Sequence, residues 1–229
     1  MKVAIMQPYF FPYIGYFQLI NAVDEFVVYD DVNFIKQGWI SKNRILVNKQ
    51  AVDIILQLNG ASSFKKINEI NLGKNRLKLL KTIEQAYKKA PFFNSVFPIV
   101  SEILTFNENN LAFFLTNSLI KISEYLSINT KIIISSDINK NNLLKGKDKV
   151  LEICKKTNAL DYINAIGGIE LYNKEEFIEN NIKLCFLKTK KVEYNQFDDN
   201  FIPGLSIIDI LMFNSPEEIN IMLNKFELV

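Results

Sequence analysis

The sequence predicts an α/β fold, with a mostly parallel sheet and flanking helices. Three observations carry this. A short apolar run at residues 2–6 is followed by a Pro-rich loop, a helical pattern and a second apolar run, which is a βαβ unit. The same alternation returns after residue 130. Between the two lies a stretch, about 75–127, whose apolar residues recur at helical spacing. Strands alternating with helices imply a parallel, Rossmann-like sheet, here with a helical middle segment. No repeat, linker or low-complexity tract divides residues 1–229, so a single domain is expected.

Each element has its own signal. Lys2-Val3-Ala4-Ile5-Met6 is a short apolar run suited to a buried strand. Gln7-Pro8-Tyr9-Phe10-Phe11-Pro12-Tyr13 is a loop punctuated by two prolines. In residues 15–22, Phe17, Leu19 and Ile20 share a helix face, and residues 25–30 form a second strand ending at Asp30-Asp31. Residues 51–58 read as another strand. Residues 75–89 set Leu77, Leu80, Ile83, Ala86 and Tyr87 among Lys and Glu, an amphipathic helix. Helices over 95–105 and 108–127 follow. Residues 131–134 are a β-branched strand with Ser135-Ser136-Asp137 at its end. A helix over 146–157 turns Val150, Ile153 and Cys154 inward, and a strand over 161–166 runs into Gly167-Gly168. Phe177 and Ile178 mark a short helix, and 182–187 is a strand. Helices over 205–213 and 216–226 close the chain, the second opened by Ser215-Pro216-Glu217-Glu218: a Ser cap, a first-position Pro and first-turn acids.

Composition excludes several function classes. With 229 residues, 48% apolar, the chain can bury one substantial core. A net charge of +2 supplies no field to steer it onto nucleic acid or a membrane. Cys154 and Cys185 form no CxxC pair, so a zinc or dithiol motif is not indicated; they read as thiols in a reducing compartment. Histidine is absent, which removes the Ser-His-Asp and Cys-His triads and any His-metal site. Chemistry falls to carboxylates, Lys, Tyr, Asn, Gln and backbone groups. No GxxxxGK[ST] loop occurs. The first apolar run is too short for a signal peptide and no long apolar window follows, so a cytoplasmic protein without membrane insertion is expected.

In open parallel sheets ligands sit beyond the C-terminal strand ends. That rule draws together the loop over 7–15, the loop over 30–44, Ser135-Ser136 and Gly167-Gly168. Tyr9, Tyr13 and Tyr16 are phenols able to stack on a base or hold a polar partner, whereas Phe10 and Phe11 fit core packing equally well. Tyr13-Ile14-Gly15-Tyr16 occupies the slot of the His-x-Gly-His turn of nucleotidylyltransferases, which suggests a scaffold related to that HUP-like group. Asp30 and Asp31 suit a general base, an amine-orienting pair or, less directly, a Mg²⁺ site. Lys36, Lys42 and Arg44 suit a pyrophosphate clamp, with Trp39 and Asn43 beside them; a solvated hairpin is the alternative. Gly167 and Gly168 allow close backbone approach or simply a tight turn. Ser206, after Pro203-Gly204-Leu205, is either a helix cap or a ligand contact.

These residues resemble the WbqC-like family. The resemblance lies in Ile5-Met6-Gln7-Pro8-Tyr9, Pro12-Tyr13-Ile14-Gly15-Tyr16-Phe17, Asp30-Asp31-Val32 with Trp39, and Asn43-Arg44-Ile45. It continues through Ala86-Tyr87, Ala90-Pro91-Phe92-Phe93, Ser135-Ser136, Gly146-Lys147, Gly167-Gly168 and Pro203-Gly204-Leu205-Ser206 with Asp209. Met6 stands where many relatives have His. The resemblance implies surface-polysaccharide (O-antigen) synthesis and transfer of an aminoacyl group, glycyl foremost, to the amine of a nucleotide-linked amino sugar. No cofactor is certain. The expected partners are that sugar nucleotide and a carrier-protein thioester as acyl donor, with no nucleic acid; a homodimer is compatible. In this reading Asp30 and Asp31 hold and deprotonate the amine, and Lys36, Lys42 and Arg44 hold the diphosphate. Tyr9, Tyr13 or Trp39 stack, and Gln7, Asn43 or Ser135 serve a developing oxyanion. The rivals are a nucleotidylyltransferase or ligase on the same scaffold, a non-catalytic sugar-nucleotide-binding factor, and a glycosyltransferase.

Overall fold

A computed structural model of the chain describes residues 1–197 and 200–229. The elements run β1 (Lys2–Met6), α1 (Ile14–Asn21), β2 (Glu25–Val28), β3 (Lys42–Val47), β4 (Gln50–Ile55), β5 (Leu58–Asn59), β6 (Asn71–Leu72), α2 (Arg76–Tyr87), α3 (Phe93–Thr105), α4 (Leu111–Tyr125) and β7 (Lys131–Ile134). They continue with α5 (Gly146–Lys156), β8 (Asp161–Ala165), α6 (Lys174–Glu179), β9 (Lys183–Thr189), α7 (Ile207–Phe213), α8 (Pro216–Leu223) and β10 (Phe226–Leu228).

The principal sheet has six strands in the order β10-β9-β8-β1-β2-β7. All neighbours are parallel except β10, which runs antiparallel to β9 at one edge. From β1 the chain goes outward through β2 to β7, then returns to the other side of β1 as β8 and β9. The order therefore reverses between β1 and β8, which is the topological switch point where doubly wound sheets open a crevice.

Period-two alternation loads both faces of the sheet. Ala4, Phe26, Val28, Ile163 and Leu187 join the larger core with α1, α7, α8 and the helices of the middle segment. Val3, Ile5, Val27, Tyr162, Leu184 and Phe186 face the other way, onto Val150, Ile153 and Cys154 of α5 and Phe177 of α6. α8 opens on a complete capping box: the Ser215 hydroxyl accepts from Glu218 N–H and the Glu218 carboxylate accepts from Ser215 N–H.

Three elements depart from the sequence reading. The basic stretch, read as a loop with a solvated hairpin as the alternative, contains β3, which pairs antiparallel with β4 in a two-stranded hairpin outside the principal sheet. Its turn, Asn48-Lys49, takes positive φ at both positions (47° and 64°), the twist that suits a two-residue hairpin. The strand read over 51–58 is thus half of this hairpin and ends at Ile55. The last helix stops at Leu223 rather than 226, because Phe226–Leu228 pair with Leu187, Lys188 and Thr189.

Candidate functional site

The loop after β1 is held by groups from distant elements. Phe11 sits at φ 43°, a strained backbone for a bulky residue. Its carbonyl accepts from Asn43 Nδ2 at 2.8 Å and Ser206 Oγ at 2.8 Å. Asn43 also donates to the Phe10 carbonyl at 3.1 Å, and Phe10 N–H donates to the Trp39 carbonyl. Phe10 and Phe11 are fully buried. Ser206 caps α7 as well, accepting from Ile208 N–H. Asn43, read as a ligand contact, and Ser206, read as a helix cap or a ligand contact, are both buried with their side chains bonded to the loop. Tyr16 is likewise buried and donates to the Gln7 carbonyl at 2.8 Å, so its ring faces protein rather than substrate. Gly15 is required by space: an added Cβ would strike the Tyr13 ring and the Thr189 hydroxyl.

Beyond the ends of β1 and β8 lies a crevice of about 370 Å³, lined by Met6, Gln7, Tyr9, Tyr29, Ile35, Asn164, Gly167, Gly168 and Tyr172 among others. Among the described residues the Gln7 carboxamide has no hydrogen-bond partner, while Asn164 accepts from Ala165 N–H at 2.8 Å. Gly168 is needed because the Asn164 side chain occupies the space of a Cβ; Gly167 faces open space. Met6 contributes an apolar side chain to the crevice wall.

Asp30 and Asp31 lie at the same sheet edge but are spoken for. Asp30, 1% exposed, accepts from Ser136 N–H (2.9 Å), Ser136 Oγ (2.7 Å) and Asn68 Nδ2 (2.8 Å). Asp31 accepts from Ser135 Oγ at 2.7 Å, and its Oδ2 lies 2.8 Å from Lys149 Nζ and 3.0 Å from Lys140 Nζ. Lys140 also donates to the Ser135 carbonyl. Burial opposes the charge on Asp31, but the hydrogen bonds from Lys149, Ser135 and Lys140 outweigh it and hold the carboxyl below its usual range. A carboxylate so stabilised is a weak base, and two ammonium groups already occupy the oxygen a cation would use. Both aspartates, with Ser135 and Ser136, are thus held at the edge of the site by partners of their own. Among the described residues no group of three or more His, Cys, Asp or Glu is placed to hold a metal.

A second cavity, about 250 Å³, adjoins the crevice through Tyr9. Tyr9, Pro12, Tyr13, Trp39, Asn43, Arg44 and Gly204 line it. Tyr13 and Trp39 are 42% and 44% exposed, so their faces are available for stacking. The three cations do not converge. Lys36 is exposed on the loop, Lys42 Nζ sits 5.8 Å from the Trp39 ring centroid, and Arg44 donates to the Gly204 carbonyl at 3.3 Å. A larger cavity of about 550 Å³ lies between β5, β6, α2 and α3 and contains none of the expected residues.

Sequence reasoning missed four groups. Tyr29 follows β2 directly and was absorbed into the strand, and Lys149 was hidden in the pattern of α5. Lys140 lies in an Asn-rich loop that reads as solvated. The fourth is a buried network around Asp209, which accepts from Tyr87, Tyr194 and Gln196, each at 2.7 Å. Desolvation raises the Asp209 pKa despite these bonds, since among the described residues no ammonium or guanidinium pairs with it. Its signal was present, because an Asp amid apolar residues of a closing helix needs partners.

Residues 7–221 match the WbqC-like protein family. The uncharacterized Mycobacterium tuberculosis protein Rv1507c is 29% identical over 216 residues, which cover 92% of each chain. No solved structure matches, so the likeness to the nucleotidylyltransferase scaffold rests on the placement of Tyr13-Ile14-Gly15-Tyr16 alone. No helix among the described residues is long and apolar enough to cross a membrane.

Proposed function

The chain belongs to the WbqC-like protein family, and on that premise we propose that it transfers an aminoacyl group, glycyl foremost, to the amine of a nucleotide-linked amino sugar in surface-glycan synthesis. The observation that carries this reading is the switch-point crevice joined to an aromatic cavity through Tyr9. A base stacks against Tyr13 and Trp39, and the sugar lies across Tyr9 in the crevice. The acyl donor is a carrier-bound thioester. The amine nitrogen attacks the thioester carbonyl, the C–N bond forms, and the C–S bond breaks to release the thiol, which takes up the proton lost by nitrogen. Gln7, with its carboxamide unengaged, is the donor for the carbonyl oxygen as it gains charge. Orientation supplies much of the rate, on the order of 7–11 kcal/mol when two reactants are held in line, so a strong base is not required.

The test is incubation with nucleotide-linked amino sugars and a glycyl thioester, read by mass spectrometry. The expected product is the intact sugar nucleotide heavier by one glycyl group. Pyrophosphate release would make the protein a nucleotidylyltransferase or ligase. Loss of nucleoside diphosphate would make it a glycosyltransferase, and binding without turnover an assembly factor. In the expected case Gln7→Ala lowers kcat on the order of 10²-fold with little change in KM.

A further inference from the structure

We propose that the lysine-lined cavity at the start of α5 is a phosphate-binding subsite, adjoining the switch-point crevice across Tyr29. The cavity is about 290 Å³, and its wall includes Tyr29, Asp31, Lys66, Lys145, Gly146 and Lys149.

Its charge is the first argument. Asp31 is the one carboxylate in the wall, and Lys149 and Lys140 neutralise it. Lys66 and Lys145 remain, and among the described residues neither ammonium group has an ion-pair or hydrogen-bond partner. Asp30, next in the chain, is turned to Ser136 and Asn68 and is not part of the wall. Asp148, in the first turn of α5, is exposed and also outside it. The cavity thus presents net positive charge beside a buried ion cluster, where screening is weak.

Tyr29 is the second argument. It lines both the crevice and this cavity, and its hydroxyl is buried with no hydrogen-bond partner among the described residues. Buried hydroxyls are normally satisfied, so an unpartnered one at the junction of two cavities marks where a ligand atom completes the site. Burial, followed by the charge on Asp31, keeps the phenol protonated, so it acts as a donor to an anion. The first turn of α5 adds backbone N–H groups that no side chain caps. Gly146, at φ 52°, carries no side chain to close the approach.

Several donors from separate elements around one small space suit a phosphoryl group better than a single carboxylate. Under the transfer reading two ligands bring one: the diphosphate of the acceptor, or the phosphodiester of a carrier's pantetheine arm. The subsite rests on that reading only for the choice of these ligands, and its test uses binding alone.

The experiment is calorimetric titration of the full chain with inorganic phosphate, uridine diphosphate and 4′-phosphopantetheine. The same titrations are run on Lys66→Ala/Lys145→Ala, whose side chains sit at the surface, and on Tyr29→Phe, with folding checked by circular dichroism. Wild type is expected to bind phosphate with salt-sensitive affinity. The double variant should weaken it at least tenfold and blunt the salt dependence, and Tyr29→Phe should weaken it severalfold. Whichever of the two larger ligands loses affinity in parallel identifies the source of the phosphate. Absence of phosphate binding by wild type, or unchanged affinities in all variants, overturns the subsite. Because no turnover is read, that result leaves the transfer assay standing, and a failed transfer assay leaves the phosphate result standing.

Discussion

Asp31 and Asp209 are the same side chain buried almost equally, 5% and 0% exposed, yet they titrate in opposite directions. Around Asp31 stand two ammonium groups and a hydroxyl; around Asp209 stand two phenols and an amide. Full charges outweigh the cost of burial at the first, and neutral dipoles do not at the second. A count of hydrogen bonds would rate the two alike. Asp31 ties loops together at the edge of the crevice. Asp209 ties α2, α7 and the segment carrying Tyr194 and Gln196.

The comparison can be broken most forcefully at Asp31. Asp31→Asn leaves two buried ammonium groups without a countercharge and should cost about 3–5 kcal/mol at neutral pH, measured by urea unfolding. Because its folded pKa is depressed, this stabilisation is present above the usual value of 3.8 and is lost as pH falls through the lowered pKa. The variant and the parent should therefore converge in acid. Tyr87→Phe is the next largest. It removes a donor to Asp209 and the acceptor of Leu46 N–H, and should cost about 1–3 kcal/mol in the same assay.

Asp209→Asn sharpens the contrast. With a raised folded pKa, the parent is stabilised in acid and loses that advantage as pH rises from 3.8 through the raised value. The variant should cost only about 1 kcal/mol near neutrality, with a penalty that grows as pH falls, the reverse of Asp31→Asn. Parallel pH profiles for the two variants would remove the distinction. The smallest effect is expected at Ser136→Ala, about 0.5 kcal/mol, because Asp30 keeps Asn68 and the Ser136 backbone N–H as donors.

The parts of the fold legible in the sequence were those whose signal is local. β1, α1 and β2 announce themselves by apolar runs and two prolines, and α8 by its capping residues. β3 was legible only as the alternative, a solvated hairpin, because Lys42 and Arg44 equally suit an anion clamp and Asn48-Lys49 lacks the glycine that usually marks a hairpin. In the site, the strand-end rule brought Gln7, Tyr9, Gly167 and Gly168 to one crevice. It could not tell which polar residues there are already satisfied. Asn43, Ser135 and Ser206 are the residue types that bind ligands and also those that hold strained loops. Only the partner atoms separate the two roles. Tyr29 was lost for the converse reason, since a tyrosine at the end of an apolar run gives no sign that its hydroxyl has no partner.

The position of β1 also governs when the molecule becomes whole. β1 precedes both of its partners in the chain, and on one side it pairs with β2, which begins at Glu25. Its other partner, β8, begins only at Asp161, and Ser206, which steadies the loop after β1, comes later still. Until that later part of the chain is in place, the central strand is zipped on one side alone, with its other side open to foreign pairing. Such distant parallel pairing is slow to form. The crevice therefore takes shape only once β8 and the segment around Ser206 have docked.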